Sequence, residues 1–418
     1  MKQKNSYKLP VAIMFALFFM IAFVTGLPSP MGVIVAKQFG ASAFESQLGF
    51  FANFIAYAFM GIPAGLMLRR IGYKKTAMAA VTVGFVGVGV QYLSGAVGSF
   101  AVYLTGAFIC GFSVCMLNTV VNPMLNTLGG GGDKGNQLLQ FGGACNSIGA
   151  TIVPFLVGYL MGAEAGRTIE KANPALFIAM AIFAVAFVVL AASKIPEPHM
   201  EQGADKAPTS DRYGPMSFRH FVLGTVAIFI YVGIEIGLPS TANLYMTQEL
   251  GIDAAVAGSI VGLYWLLMLV GRLVGGSVGA RVSSRTMMIA VSTVGLAMVA
   301  AAILLPASSG VALPASLGGV DVPASVVLIV LCGLCTSVMW GGIFNLAVEG
   351  LGKYTAAASG IFMVMVCGGG IIPTFQGWVA DRIGYMASYW VMFACFAYLL
   401  YYAVIGCRNV NKDIPVGK

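Results

Sequence analysis

Charge is what this chain has least of. Its 418 residues include 23 Lys and Arg and 15 Asp and Glu, so only 9% are charged, against roughly 25% in an ordinary soluble domain. That excludes a water-soluble globular protein. With 59% apolar residues and a mean hydropathy of +0.89, a polytopic membrane protein is the class that remains. The few charges fall in short breaks between long apolar runs, so no continuous basic face can form and no nucleic-acid partner is expected. Histidine is scarcer still: His199 and His220 lie in or beside the polar middle segment, which excludes an imidazole proton shuttle at membrane depth. No nucleophile and base pair, metal cluster or cofactor motif stands at a span mouth, so the chain is not read as an enzyme. The eight cysteines lie in or at the ends of apolar runs and read as small hydrophobes without a disulfide, Cys332-x-x-Cys335 included.

What is there is a series of apolar runs of the ~20 residues that a helix needs to cross a bilayer. Twelve are found: 10 to 36, 46 to 68, 76 to 95, 100 to 127, 137 to 162, 174 to 194, 218 to 247, 255 to 279, 286 to 305, 323 to 348, 355 to 380 and 385 to 406. Alternating the loops puts 18 of the 23 basic residues on one side and only Lys37, Arg167, Lys171 and Arg382 opposite, with Arg272 near the end of span 8. The positive-inside rule then places both termini in the cytoplasm, and the compact loops suit a bacterial inner membrane. A monomer in the lipid bilayer is expected. Residues 195–217, rich in Pro and charge, read as a cytoplasmic linker between an N-terminal unit (1–194) and a C-terminal unit (218–418).

The two units echo each other. Gly26-Leu27-Pro28-Ser29 recurs as Gly237-Leu238-Pro239-Ser240, and Pro154-x-x-x-Gly158-Tyr159 is matched by Pro373-x-x-x-Gly377-Trp378. Such matches favour a duplicated six-helix unit, and Gly and Pro at corresponding depths mark broken or closely packed helices. The expected fold is therefore all-α, with twelve transmembrane helices in two pseudo-symmetric six-helix bundles.

Among the acids, only Glu235 lies well inside a span, where a carboxylate is costly unless it serves a site. Tyr231 is one turn earlier on the same face and within reach of that carboxyl group or of a ligand bound beside it. Asn118 and Asn122 put two amides on one stripe of span 4, each a donor and an acceptor for a hydroxyl-bearing ligand. Asn146, Asn53, Tyr57, Asn243, Trp340 and Asn345 are further candidates; Trp340 has a face that could stack on a sugar ring or fill the bundle. Arg272 is placed close to the cytoplasmic surface, which leaves no cation at mid-depth for an organic anion. Neutral polyols fit best, with a monocation as the exception Glu235 allows.

Several motifs resemble the fucose permease-like sugar-symporter branch of the major facilitator superfamily, over nearly the whole chain. They are Gly61-Ile62-Pro63-Ala64-Gly65-x-x-x-Arg69-Arg70-x-Gly72-Tyr73-Lys74-Lys75, Asn122-Pro123, Asn146-Ser147-Ile148-Gly149-Ala150, Tyr231-Val232-Gly233-x-Glu235, Gly271-Arg272 and Gly368-Gly369-Gly370-Ile371. The resemblance implies import of a neutral monosaccharide, often proton-coupled, by two bundles rocking about a central site. The chain departs from such symporters at their coupling positions: the helix 4 acid is Asn118, the helix 1 acid falls at or near Ser29, and the helix 5 glutamine falls at Gly143, with Gln140 one turn away. Glu235 is then the carrier if a proton drives uptake, whereas sodium could use oxygen ligands alone and a facilitator needs neither. No organic cofactor is expected. The basic loops with Arg69, Arg70, Lys74 and Lys75, and with Arg272, Arg281 and Arg285, are read as a gate that holds the cytoplasmic side shut in the outward-open state. Export of amphipathic cations, or a transporter-like nutrient sensor, are the rival readings.

Overall fold

The structure, a computed structural model, describes the chain apart from residues 1–6, 29–30, 32–33, 35–37, 39, 129–131, 162–168, 198–212, 279–281, 307–308, 313, 315–318, 352–353, 412 and 417–418. Within helices a few side chains, those of Arg69 and Gln140 among them, also lie outside the description. Ser29, His199 and Arg281 fall in the undescribed stretches.

Eleven described helices are long and apolar enough to cross a membrane: Lys8–Gly26, Leu48–Leu68, Arg70–Val97, Phe100–Leu125, Asn173–Ala192, Arg219–Glu249, Ala254–Ser277, Ser284–Leu304, Ala324–Val348, Gly360–Ile383 and Tyr385–Gly406. A shorter apolar stretch, Phe141–Val157 in the helix Gly132–Met161, supplies span 5 and completes twelve. Spans 1 to 6 pack chiefly on one another, as do spans 7 to 12, and the two bundles meet through span 2 on span 11 and span 5 on span 8. The side holding the connection between spans 6 and 7 is called the linker face below, and the opposite side the far face.

Close approach between helices is set by glycine, because lipid gives apolar helices no hydrophobic reason to associate and leaves packing to do it. A Cβ on Gly111 of span 4 would lie 2.0 Å from the Asn53 carbonyl oxygen of span 2. One on Gly368 of span 11 would lie 2.0 Å from the Phe229 oxygen of span 7. Gly369 and Gly370 then face Phe54 and Phe51 of span 2, so the Gly368 to Gly370 run lets span 11 sit against both bundles.

Of the two readings of the Gly-Leu-Pro-Ser site in span 7, a broken or a closely packed helix, the second holds: the helix Arg219–Leu244 runs through Pro239, a Cβ on Gly237 would meet the Met392 side chain, and the helix widens only into the π turn Tyr245–Glu249. The breaks fall in spans 10 and 11 instead, between Thr336 and Met339 and between Met365 and Gly368. The fold is all-α as expected; beside its helices, Gly310–Ala312 and Asp321–Pro323 pair antiparallel in the loop before span 10.

Lys74 and Arg285 of the basic loops bind within their own bundles. At Gly72 the chain turns with φ +82°, and the Glu197 carboxylate accepts hydrogen bonds from the amides of Tyr73 (2.6 Å) and Lys74 (3.0 Å), capping span 3. The Lys74 ammonium donates to the Ala191 and Ser193 carbonyls that end span 6 (2.9 and 2.8 Å). Arg285, at the matching place in span 9, donates to the Ala403 and Val404 carbonyls near the end of span 12 (3.1 and 2.6 Å). Both place cations on helix carboxyl ends, where the dipole favours them. The described bonds of Lys74 and Arg285 therefore tie each bundle to itself, through hydrogen bonds to helix ends; Arg70 and Lys75 are exposed.

Candidate functional site

Span 7 carries Glu235 at mid-depth, and span 8 brings Arg272 to it. The Arg272 Nη2 lies 3.4 Å from the Glu235 Oε1, while its Nη1 donates to the Gly143 carbonyl (2.7 Å) and the Ser147 hydroxyl (2.9 Å) of span 5. Arg272 thus crosses from the C-terminal bundle to the N-terminal one. The expectation that it sits near a membrane surface is overturned, because a long side chain on the inner face of span 8 carries its guanidinium well away from its own Cα. Gly143 lies directly under the guanidinium: a Cβ built there would stand 3.5 Å from the Arg272 Nη1, an ordinary van der Waals contact. A cation does therefore stand at mid-depth, where none was expected. Its charge is matched by Glu235, which leaves the pair neutral as a unit.

The pair keeps 12% (Arg272) and 14% (Glu235) of its side-chain exposure, so neither group is wholly enclosed and neither is screened as on a surface. Tyr231 is fully buried, its hydroxyl facing the Glu235 carboxylate without a hydrogen bond of regular geometry. The Trp340 ring meets the Tyr231 ring edge-on at 6.3 Å, so span 10 places this half-buried indole beside Tyr231.

In the N-terminal bundle the amides form a ladder. Asn118 Nδ2 donates to the Tyr57 hydroxyl (2.8 Å), and Asn122 Nδ2 donates to the Asn118 carbonyl one turn back (2.8 Å). The expected stripe on span 4 is real, with Tyr57 of span 2 as its partner, and both amides remain half-buried. Other candidates hold the bundle together. Asn53 is buried and donates to the Ala107 carbonyl (3.2 Å), while Asn146 donates to the Phe18 carbonyl of span 1 (3.2 Å). Asn243 is buried in span 7, Asn345 is exposed near the end of span 10, and the side chains of Gln140 and Ser29 lie outside the described residues.

Sequence reasoning missed two glutamines. Gln47 Nε2 donates to the Ser240 and Thr241 hydroxyls of span 7 (3.3 and 3.4 Å), linking the bundles at the far face through the very serine of the repeated Gly-Leu-Pro-Ser motif. Gln376 in span 11 is fully buried with neither amide atom paired among the described residues, against Gly237. Uncharged amides near span ends carry no charge signal, so position alone could not single them out.

Two six-helix bundles meeting around half-buried polar groups define a membrane carrier fold. The chain belongs to the Major Facilitator Superfamily, whose sequence profile matches residues 13–372. It is 27% identical over 412 residues to the glucose/galactose transporter of Brucella abortus (strain 9-941), covering 97% of this chain and 96% of the relative. It is 28% identical to the putative glucose/galactose transporter of Helicobacter pylori (strain J99 / ATCC 700824), covering 98% and 100% of the two chains. The L-fucose-proton symporter of Escherichia coli K12 is 23% identical, with 96% and 94% covered. In fold it matches the crystal structure of the transporter FucP in the outward conformation, with a TM-score of 0.70 at 20% identity over 95% of this chain and 98% of that one.

Proposed function

We propose that this protein is a secondary active transporter that imports a neutral monosaccharide by alternating access and is driven by a cation, with its linker face in the cytoplasm of a bacterial inner membrane. The observation that carries the reading is the Glu235–Arg272 pair with its reach onto Gly143 and Ser147. A carboxylate whose charge is balanced by a guanidinium bonded to the other bundle links cation binding to the contact between bundles. A proton or sodium ion on Glu235 weakens its hold on Arg272, and whatever free energy that contributes to one state is returned as affinity in the other. The amide ladder of Asn118 and Asn122, with Tyr57 and Trp340, offers the donors, acceptors and ring face that a hexose needs. The names of the relatives, which are sugar transporters, favour glucose, galactose or fucose over other polyols.

Purified protein in proteoliposomes loaded with unlabelled glucose, galactose or fucose tests the substrate class. Counterflow of at least one labelled sugar, inhibited by neutral hexoses and unaffected by hexuronates or amphipathic cations, is the expected result. Counterflow of none of them, with resistance to toxic cations on expression, would replace the sugar reading by export.

A further inference from the structure

The segment Gly65-Leu66-Met67-Leu68-Arg69-Arg70-Ile71-Gly72-Tyr73 recurs as Gly377-Trp378-Val379-Ala380-Asp381-Arg382-Ile383-Gly384-Tyr385. The first closes span 2 and the second closes span 11. Both turn on a glycine in the left-handed region, Gly72 at φ +82° and ψ 177°, Gly384 at φ +90° and ψ 159°. The two spans lie side by side and antiparallel, as the succession of their contacts shows: Ala43 meets Gly377, Phe51 meets Gly370, Phe54 meets Gly369 and Val364 meets Gly61. One motif therefore stands at each end of the same helix pair, related by a pseudo-two-fold axis in the membrane plane.

At the far face the motif grips the opposite bundle. Asp381 accepts hydrogen bonds from the backbone amides of Ala43 (2.7 Å) and Phe44 (2.9 Å), one carboxylate oxygen to each. Gly377 brings the backbones together, with Ala43 O 2.7 Å from where a Cβ would lie, and Gln47 adds its bonds to Ser240 and Thr241. Arg382 rests 3.6 Å over the Trp378 ring and donates to the Trp378 carbonyl, which steadies the turn from its own side. At the linker face the residue in the place of Asp381 is Arg69, and Gly65, in the place of Gly377, has no described atom within 4 Å of where its Cβ would lie. A guanidinium accepts no hydrogen bond, and a cation is unfavourable at the amino end of a helix.

We infer that Asp381 is a positioning residue for transport: a far-face latch whose two bonds across the bundles must break for that face to open. Because Arg69 cannot make the matching latch, the resting carrier favours the form closed at the far face and open at the linker face. The bond to Ala43 is part-buried and that to Phe44 is exposed, so water screens the carboxylate, and together the two are worth about tenfold in an equilibrium. The inference rests on the alternating-access reading alone and on neither the sugar nor the coupling ion.

The test is the distance between bundles in the full chain, in lipid nanodiscs, from nitroxide labels at Val97 and Leu304 on the far face and, separately, at Lys75 and Arg408 on the linker face. The wild type is expected to show one short far-face distance. Asp381→Ala adds a longer far-face population, raised about tenfold over wild type, together with a shortened linker-face distance. Arg69→Asp, which leaves the far face untouched and gives the linker face its missing acid, shifts both distances the same way. Far-face distributions that superimpose for wild type and Asp381→Ala would overturn the latch, and an unmoved Arg69→Asp would overturn the asymmetry. Far-face and linker-face distances that change without opposing each other would instead sink alternating access itself.

Discussion

Arg272→Ala is expected to abolish transport and to destabilise the protein by about 2–3 kcal/mol, since it strands the Glu235 carboxylate without its partner. The full cost of breaking a buried pair is discounted here for the 3.4 Å separation and the residual exposure of both side chains. The same change removes the bonds to Gly143 and Ser147, so the bundles lose a contact as well as a charge. Arg272→Lys keeps the charge but not the fork that serves Glu235 and span 5 together, and should retain most of the stability with little of the transport. Thermal unfolding in detergent separates the terms, with the double variant Arg272→Met/Glu235→Gln expected to regain stability without regaining transport. An Arg272→Ala protein as stable and as active as the wild type would reduce the pair to an incidental contact.

The second large effect is steric. Gly368→Ala puts a methyl group 2.0 Å from the Phe229 carbonyl oxygen, and a backbone atom cannot move aside as a side-chain tip can. Span 7 and span 11 must separate, at a cost of about 3 kcal/mol or more, near the upper end for overpacked cores. Gly276→Ala is the matched control: nothing lies within 4 Å of its Cβ position, and alanine in an exposed helix turn should stabilise by roughly 0.5–1 kcal/mol. Equal unfolding midpoints for the two variants would show that the close approach at Gly368 is not tight in the membrane.

The spans were legible because their signal is long and redundant. Apolar runs of twenty residues, interrupted by charge, leave little freedom in where helices cross, and the basic residues crowd one set of loops. The pairing of Gly310–Ala312 with Asp321–Pro323 was not legible, since the three-residue strands Gly-Val-Ala and Asp-Val-Pro are too short to show an alternation. In the site, Glu235 was legible because a mid-span carboxylate is rare, and Asn118 and Asn122 because their spacing puts them on one face. The depth of the Arg272 charge was not legible because position along span 8 fixes only its Cα, and the length of the side chain decides where the charge goes. Asp381 was invisible for the opposite reason: it closes a span, where an acid ordinarily faces water, and its meaning lies in two amides more than three hundred residues away in sequence.

The central claim is that Glu235, held by Arg272, couples a cation to sugar movement, and concentrative uptake tests it most directly. Labelled glucose or galactose is offered to proteoliposomes under an imposed proton gradient, an imposed sodium gradient or neither, for the wild type and for Glu235→Gln. The account predicts accumulation above the external concentration in the wild type under one of the two gradients. It predicts that Glu235→Gln loses this accumulation and keeps sugar exchange. Accumulation that survives in Glu235→Gln, or equilibration without accumulation by the wild type under every gradient, would contradict it.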